Sequence, residues 1–203
     1  MSMRYRKLSR CALLGVCLGC LGFPLSAQAD GWYLGADLAV MDTTLEYGGV
    51  FSSAYSESYA TGHARLKGGY NFAKYFGAEL RLTSSGDDTY VDSFGTWKWR
   101  TGESLSGYFK PHYEIGHFDI YGLVGLSVMD TSYEAVAGPQ TGQKDKATLA
   151  TFDFGVGGIY LFTPHFGVSA EIKLNVGTAD YKTLLGSTDI YGAAFGAGVV
   201  FRF

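Results

Sequence analysis

The chain has 203 residues, a formal net charge of −3, 29 glycines, 15 tyrosines, 14 phenylalanines and only 4 prolines. A near-neutral balance without a basic run argues against a nucleic-acid partner, and no stretch beyond the N-terminal region is apolar for long enough to form a spanning helix. All three cysteines, Cys11, Cys17 and Cys20, fall within the first 20 residues, so no disulfide or thiolate chemistry is available further along.

The first element is a targeting segment. Arg4, Arg6, Lys7 and Arg10 precede the short apolar core "CALLGVCLGCLGF", Pro24 ends it, and Ala27-Gln28-Ala29 supplies the small-x-small pattern of a cleavage site. The expectation is a cleaved signal peptide over 1–29 and one domain over 30–203, starting at Asp30. "LGVC" and "CLGC" fit a lipid-attachment box poorly, so no lipid anchor is expected.

From there the dominant period is two, the period of strands, in eight segments. "WYLGADLAV" puts Trp32, Leu34, Ala36, Leu38 and Val40 on one face and Tyr33 and Asp37 on the other. "YATGHARLKGGYNF" sets Ala64, Leu66, Tyr70 and Phe72 against His63, Arg65 and Lys67. "FGAELRL" sets Phe76, Leu80 and Leu82 against Glu79 and Arg81. In "SLSGYFKPHY", Leu105, Phe109 and Tyr113 oppose Tyr108, Lys110 and His112. Pro111 has no N–H for a ladder bond, so this strand is expected to end or bulge there. "FDIYGLVGLSV" opposes Phe118, Ile120, Val124, Leu126 and Val128 to Asp119 and Tyr121. "ATFDFGVGGIYLF" opposes Phe152, Phe154, Val156 and Tyr160 to Thr151 and Asp153. "FGVSAEIKL" opposes Phe166, Val168, Ile172 and Leu174 to Glu171 and Lys173, and "YGAAFGAGVVFRF" opposes Tyr191, Phe195, Val199, Phe201 and Phe203 to Arg202.

The connections alternate. "NFAKY", "YEIGHF" and "FTPH" are tight, whereas Ser84–Trp97 and Asp130–Thr148 read as long polar loops. An even number of antiparallel strands with one neat rim and one long-looped rim reads as a closed up-and-down barrel. Period two does not say which face is inside. A soluble calyx would turn the apolar face inward, and a membrane barrel would turn it outward. Three features favour apolar-out: the unequal rims, the aromatics gathered at the neat rim, and the ending "GVVFRF" with Phe203 last. The charged face then lines a narrow lumen. There Asp37, His63, Arg65, Lys67, Glu79, Arg81, Lys110, Asp119, Asp153, Glu171, Lys173 and Arg202 must pair, because an eight-stranded barrel has room only for side chains.

"GGYNFAKYFGAELRL", "FGVGGIYLFTPHFGVSAEIKL" and "FGAGVVFRF" together resemble the small eight-stranded outer-membrane β-barrels. That family includes the OmpA transmembrane domain, OmpX and Ail, and the opacity-type surface proteins. The resemblance implies an all-β transmembrane barrel in the bacterial outer membrane with periplasmic termini. It implies lipid as surroundings, the barrel-assembly machinery as a partner in biogenesis, and host or cell-surface ligands at the loops. It also makes Gly198, Val199, Phe201 and Phe203 the C-terminal insertion signal. No peptidoglycan-binding domain is expected after Phe203, hence no cell-wall tether.

Catalytic and cofactor chemistry find little support. Barrel enzymes acting on lipid A need a His near a Ser and an acid. His112, His117 and His165 fall at the neat rim, His63 points into the lumen, and Asp92-Ser93 has no His nearby. The acids of "GDDTY" lack the ligand ladder of a calcium loop. No catalytic residue, cofactor or metal is expected. The reading is a non-enzymatic barrel presenting four long loops in a structural or adhesin-like role. The alternatives are a narrow solute channel and a lipid A-modifying enzyme.

Overall fold

The structure is a computed structural model that describes residues 31–47, 55–91, 95–139, 141–181 and 186–203. The signal and cleavage residues Ala27, Ala29 and Asp30, together with Asp92 and Ser93, lie outside the described residues. Nine β segments follow one another: β1 Trp32–Tyr47, β2 Tyr55–Ala73, β3 Phe76–Ser85, β4 Asp87–Val91, β5 Thr96–Ile115, β6 Phe118–Ala137, β7 Lys144–Leu161, β8 Phe166–Tyr181 and β9 Gly186–Arg202. β3 and β4 are two parts of one stave. Thr83 faces Ser104 and Asp87 faces Arg100, so the register against β5 is unchanged across Gly86.

Successive staves pair antiparallel, β3 with both β2 and β5 and β4 with β5, and β1 closes the ring by pairing with β9, Tyr33 opposite Arg202 and Leu38 opposite Ala197. The result is a ring of eight staves. Along the height of β3 the closed ring leaves no sheet edge, so the ladder satisfies the backbone groups there; above Gly86, β4 pairs with β5 alone. The two-residue turn at Gly116-His117 uses the left-handed conformation of Gly116 (φ 61°), which costs glycine little.

The outside is apolar. Leu38 is 73 % exposed, Leu80 65 %, Val156 65 % and Leu126 63 %, a continuous greasy surface that water would penalise heavily. On β6 this face runs from Phe118 to Val128 before Asp130 interrupts it. Ten residues at ~3.4 Å each, tilted by about 40°, span about 26 Å, the height of a transmembrane barrel's apolar band. The aromatics crowd the turn rim. Trp32 packs on Tyr70 at 4.9 Å, Phe118 on Tyr160 at 4.9 Å, and Phe201 on Phe203 at 5.2 Å between ring centroids.

Two expectations are corrected. The long loops are largely strand: β4 climbs to Val91 and β5 restarts at Thr96, while β6 continues to Ala137 and β7 begins at Lys144. Polarity there signals solvent on the outer face, not irregular backbone. Thr, Tyr, Val and Trp at alternating positions suit a pleated strand. Nor does the strand end or bulge at Pro111. β5 passes through it, and the register with β6 is the same at Phe109–Val124 and His112–Tyr121. Pro111 lies opposite Phe76, the first residue of β3, at the end of that ladder, where a missing donor costs least. The register shifts instead at Thr101–Ser104.

Candidate functional site: the barrel lumen

The inward face carries the polar residues, and nearly all are fully buried. Arg81 and Lys110 are 1 % exposed, and Asp119 and Asp153 are 0 %. Such groups survive away from water only in ion pairs and hydrogen bonds, and the lumen supplies both.

Its centre is an ionic tier drawn from β1, β2, β3 and β8. Glu171 receives the Arg81 guanidinium in a two-pronged contact at 2.5 Å and 2.8 Å, and Arg65 Nη1 lies 2.9 Å away. Tyr121 donates its hydroxyl to the same carboxylate at 3.0 Å. Arg81 also donates through Nε to Glu79, which accepts the Tyr33 hydroxyl at 2.6 Å. Asp37 lies 2.9 Å from both Arg65 Nη2 and Lys67 Nζ, at angles outside hydrogen-bond alignment. Lys67 donates to Ser169 at 3.0 Å. The Lys110 ammonium sits over the rings of Tyr33 (4.1 Å) and Tyr121 (4.6 Å), cation–π contacts strengthened by the absence of bulk water.

A second cluster surrounds Asp153. It accepts from Tyr108 (2.7 Å), Thr151 (2.7 Å), Asn175 (2.6 Å), Ser127 and Lys173 (3.2 Å). The third sits at the turn rim, where Arg202 donates to Glu114 at 2.5 Å and to Asp119, whose other oxygen lies 3.1 Å from His112 Nδ1. His112, Glu114 and Asp119 converge as metal ligands would. The Arg202 guanidinium already occupies both carboxylates, and it supplies the positive charge that a cation would bring.

Nearest the loop rim the lumen turns apolar. Tyr59, Trp99, Leu149 and Ile190 are 0–2 % exposed, with Tyr59 stacked on Trp99 at 5.8 Å. Thr43, Thr61 and Thr101 lie buried beside them, Thr101 donating to Thr61 at 3.4 Å. His63 bonds Thr61 through Nε2 at 2.8 Å.

The twelve lumen residues named from the sequence thus fall into these clusters, apart from His63. Tyr33, Tyr108, Tyr121, Ser127, Thr151 and Ser169, which the alternation sets on the polar face without naming them as pairing partners, join the clusters as hydrogen-bond partners, and so does Asn175. Their signal was phase. Tyr108 precedes Lys110 by two, Tyr121 follows Asp119 by two, and Asn175 follows Lys173 by two, so all share the inward side. The apolar tier carried no such mark, because charge was the cue used to recognise the inside.

A closed antiparallel ring, greasy outside and ionic inside, is a membrane-spanning β-barrel. The chain belongs to the outer membrane protein beta-barrel domain family, whose model matches residues 12–203, and its place is the bacterial outer membrane. No curated protein shows a significant sequence match. Among solved structures it is similar to Neisserial surface protein A (NspA), at 18 % identity and a TM-score of 0.58, over 85 % of this chain and 97 % of that one. It is similar to the outer membrane protease OmpT from Escherichia coli at 10 % identity and a TM-score of 0.55, over 88 % and 99 %. The attachment invasion locus protein Ail of Yersinia pestis, in complex with the heparin analogue sucrose octasulfate, aligns at 16 % identity and a TM-score of 0.50, over 84 % and 99 %. Likeness at these identities is likeness of fold.

Proposed function

We propose that the protein is a non-enzymatic surface barrel whose loop rim faces the outside and makes adhesin-like contacts, with both termini periplasmic. The observation that carries this reading is the double seal of the lumen. The Arg65–Glu171–Arg81–Glu79 tier blocks the bore, and the Tyr59–Trp99–Leu149–Ile190 tier blocks it again towards the loops. A sealed bore leaves the rim as the surface able to meet partners. The connections at 48–54, 92–95, 138–143 and 182–185, raised on strands that run past the apolar belt, would form that surface. Gly198, Val199, Phe201 and Phe203 would present the last strand to the assembly machinery.

Two observations favour this over an enzyme. Three histidines, His112, His117 and His165, belong to the turn rim, remote from any substrate arriving from outside. His63 is buried and bonded to a threonine, and among the described residues no carboxylate bonds it to orient it as a base. The heparin analogue held by Ail makes sulfated glycans a sensible first ligand class for the rim.

The test has two readouts. Cells displaying the barrel should bind immobilised sulfated glycan or host cells, and exchange of 138–143 for a Gly-Ser link should abolish binding while folding persists. In planar bilayers the purified barrel should show no stepwise conductance. Discrete steps altered by Arg81→Gln would favour the channel alternative, and changed lipid A in expressing cells would favour the enzyme.

A further inference from the structure

The wall of the barrel parts on one side above the apolar belt. The ladder between β2 and β3 ends at His63–Ser85, and Gly86 N donates to Gly62 O at 2.9 Å just beyond it. Further up, β4 pairs with β5 alone, and the upper part of β2, Tyr55–Thr61, pairs with β1 alone. Two sheet edges therefore border one seam, and among the described residues no strand pairs across it. The seam starts past Leu82, the last large apolar residue on the outer face of β3, so water instead of lipid meets the unpaired N–H and C=O groups.

Exposed edges usually carry a guard: a lysine, a proline or a bulge. β4, Asp87-Asp88-Thr89-Tyr90-Val91, has no lysine and no proline, and its register with β5 is regular throughout. Thr, Tyr and Val favour extended backbone. The two charges of β4 are both acids. Asp87 is held by Lys98 at 2.7 Å and by Arg100 at 3.3 Å. Asp88 makes no ion pair among the described residues, and its carboxylate accepts the Thr89 N–H at 2.8 Å.

We propose that the β4 edge takes up an extended segment of another protein as an added strand, with a lysine or arginine of that segment beside Asp88. Main-chain bonds supply the affinity, and the acid supplies the preference for a basic guest. Five residues at ~3.4 Å each give an edge of about 17 Å, the length of an ordinary strand. A second copy of this chain does not fit. Both copies stand the same way up in one membrane, so β4 climbs from the belt in each. Antiparallel pairing is then excluded, and a parallel one would set acids against acids. The inference rests on the reading of a surface barrel whose rim meets partners, and it names the partner of one part of that rim.

The full chain in phosphatidylcholine nanodiscs, followed by amide hydrogen exchange, provides the test. Without peptide, exchange across Asp87–Val91 should be fast beside that of Leu126 on β6, a strand paired on both sides. A synthetic peptide of about ten alternating lysine and threonine residues should slow exchange across 87–91 about tenfold. The same peptide with proline in place of threonine should not. A glutamate–threonine peptide should bind about tenfold more weakly than the lysine one, and Asp88→Lys should reverse that order. Three results would each overturn the proposal: no slowing by the lysine peptide, equal slowing by the proline peptide, or protection that appears without peptide as barrels are crowded, the mark of a second copy. If Asp88→Lys does not fold, the three peptides on the wild type decide. Glycan capture by displaying cells keeps the two readings apart. Capture that persists while the peptide leaves β4 unprotected rejects the edge alone, and protection of β4 without capture upholds the edge and rejects the glycan.

Discussion

Glu171 shows what a single side chain does in this lumen. It lies between Arg65 and Arg81 and accepts from Tyr121, at 3 % exposure. Glu171→Ala would leave two buried guanidinium groups facing each other, a loss of about 3–5 kcal/mol. Urea unfolding in lipid vesicles, followed by tryptophan fluorescence, would measure it. Glu114→Ala removes an acid 49 % exposed in its side chain, and the same assay should show under ~1 kcal/mol. Glycine acts here by leaving room. A Cβ on Gly69 would lie 2.3 Å from the Tyr33 ring, and one on Gly157 would lie 2.6 Å from the Tyr121 ring. Gly69→Ala should therefore destabilise the barrel, and should do so much less in a Tyr33→Ala background. A double-mutant cycle would report that coupling. The charges of this interior were legible from sequence because Asp, Glu, Lys and Arg on one side of a strand demand an explanation. The tyrosines were less so, since an aromatic residue is equally at home against lipid, and only its parity distinguishes Tyr121 from Phe118.

At the level of the strand, alternation assigns the two faces cleanly. Ile172 and Lys173 are adjacent, yet one is 53 % exposed and the other 8 %. Ile172→Arg near mid-belt should cost about 2–4 kcal/mol, whereas Thr178→Arg, beyond the belt on the same strand, should be close to neutral. Vesicle unfolding of both variants separates a lipid-facing position from a wet one. Strand limits were harder to read than strand faces. The polar alternation of "DDTYV" and "TWKW" continues the ladder past the membrane, and the inward Trp99 anchors it. A rule that equates polar with loop fails where a sheet leaves lipid for water. Pro111 misled in the opposite direction: a missing donor matters only where a partner strand needs it, and β3 has just begun there.

For the whole molecule, ring closure and inversion of polarity make one statement: the protein is built for lipid. Unheated samples should run at an anomalous position on a denaturing gel and shift to the normal one after boiling. Spin labels at Leu80 and Ile172 should report acyl chains. Bulk-water accessibility at both would argue for the soluble calyx instead. The fold was legible because period two, the even strand count and the unequal rims all converge on it. The layering of the lumen was not, because no single strand reveals which tier its inward residues join. That depends on the stagger between staves, a property of the closed ring.

The seam between β1 and β9 joins residues as far apart as Tyr33 and Arg202. Arg202 then reaches across the bore to Glu114 and Asp119. No nascent chain that still lacks β9 can make that seam, since β1 is synthesised long before its partner. A nascent fragment exposes raw borders ready to zip with any neighbour. Completion is therefore a late, all-at-once event, and deleting only the final stave should yield aggregates instead of a slightly weaker barrel.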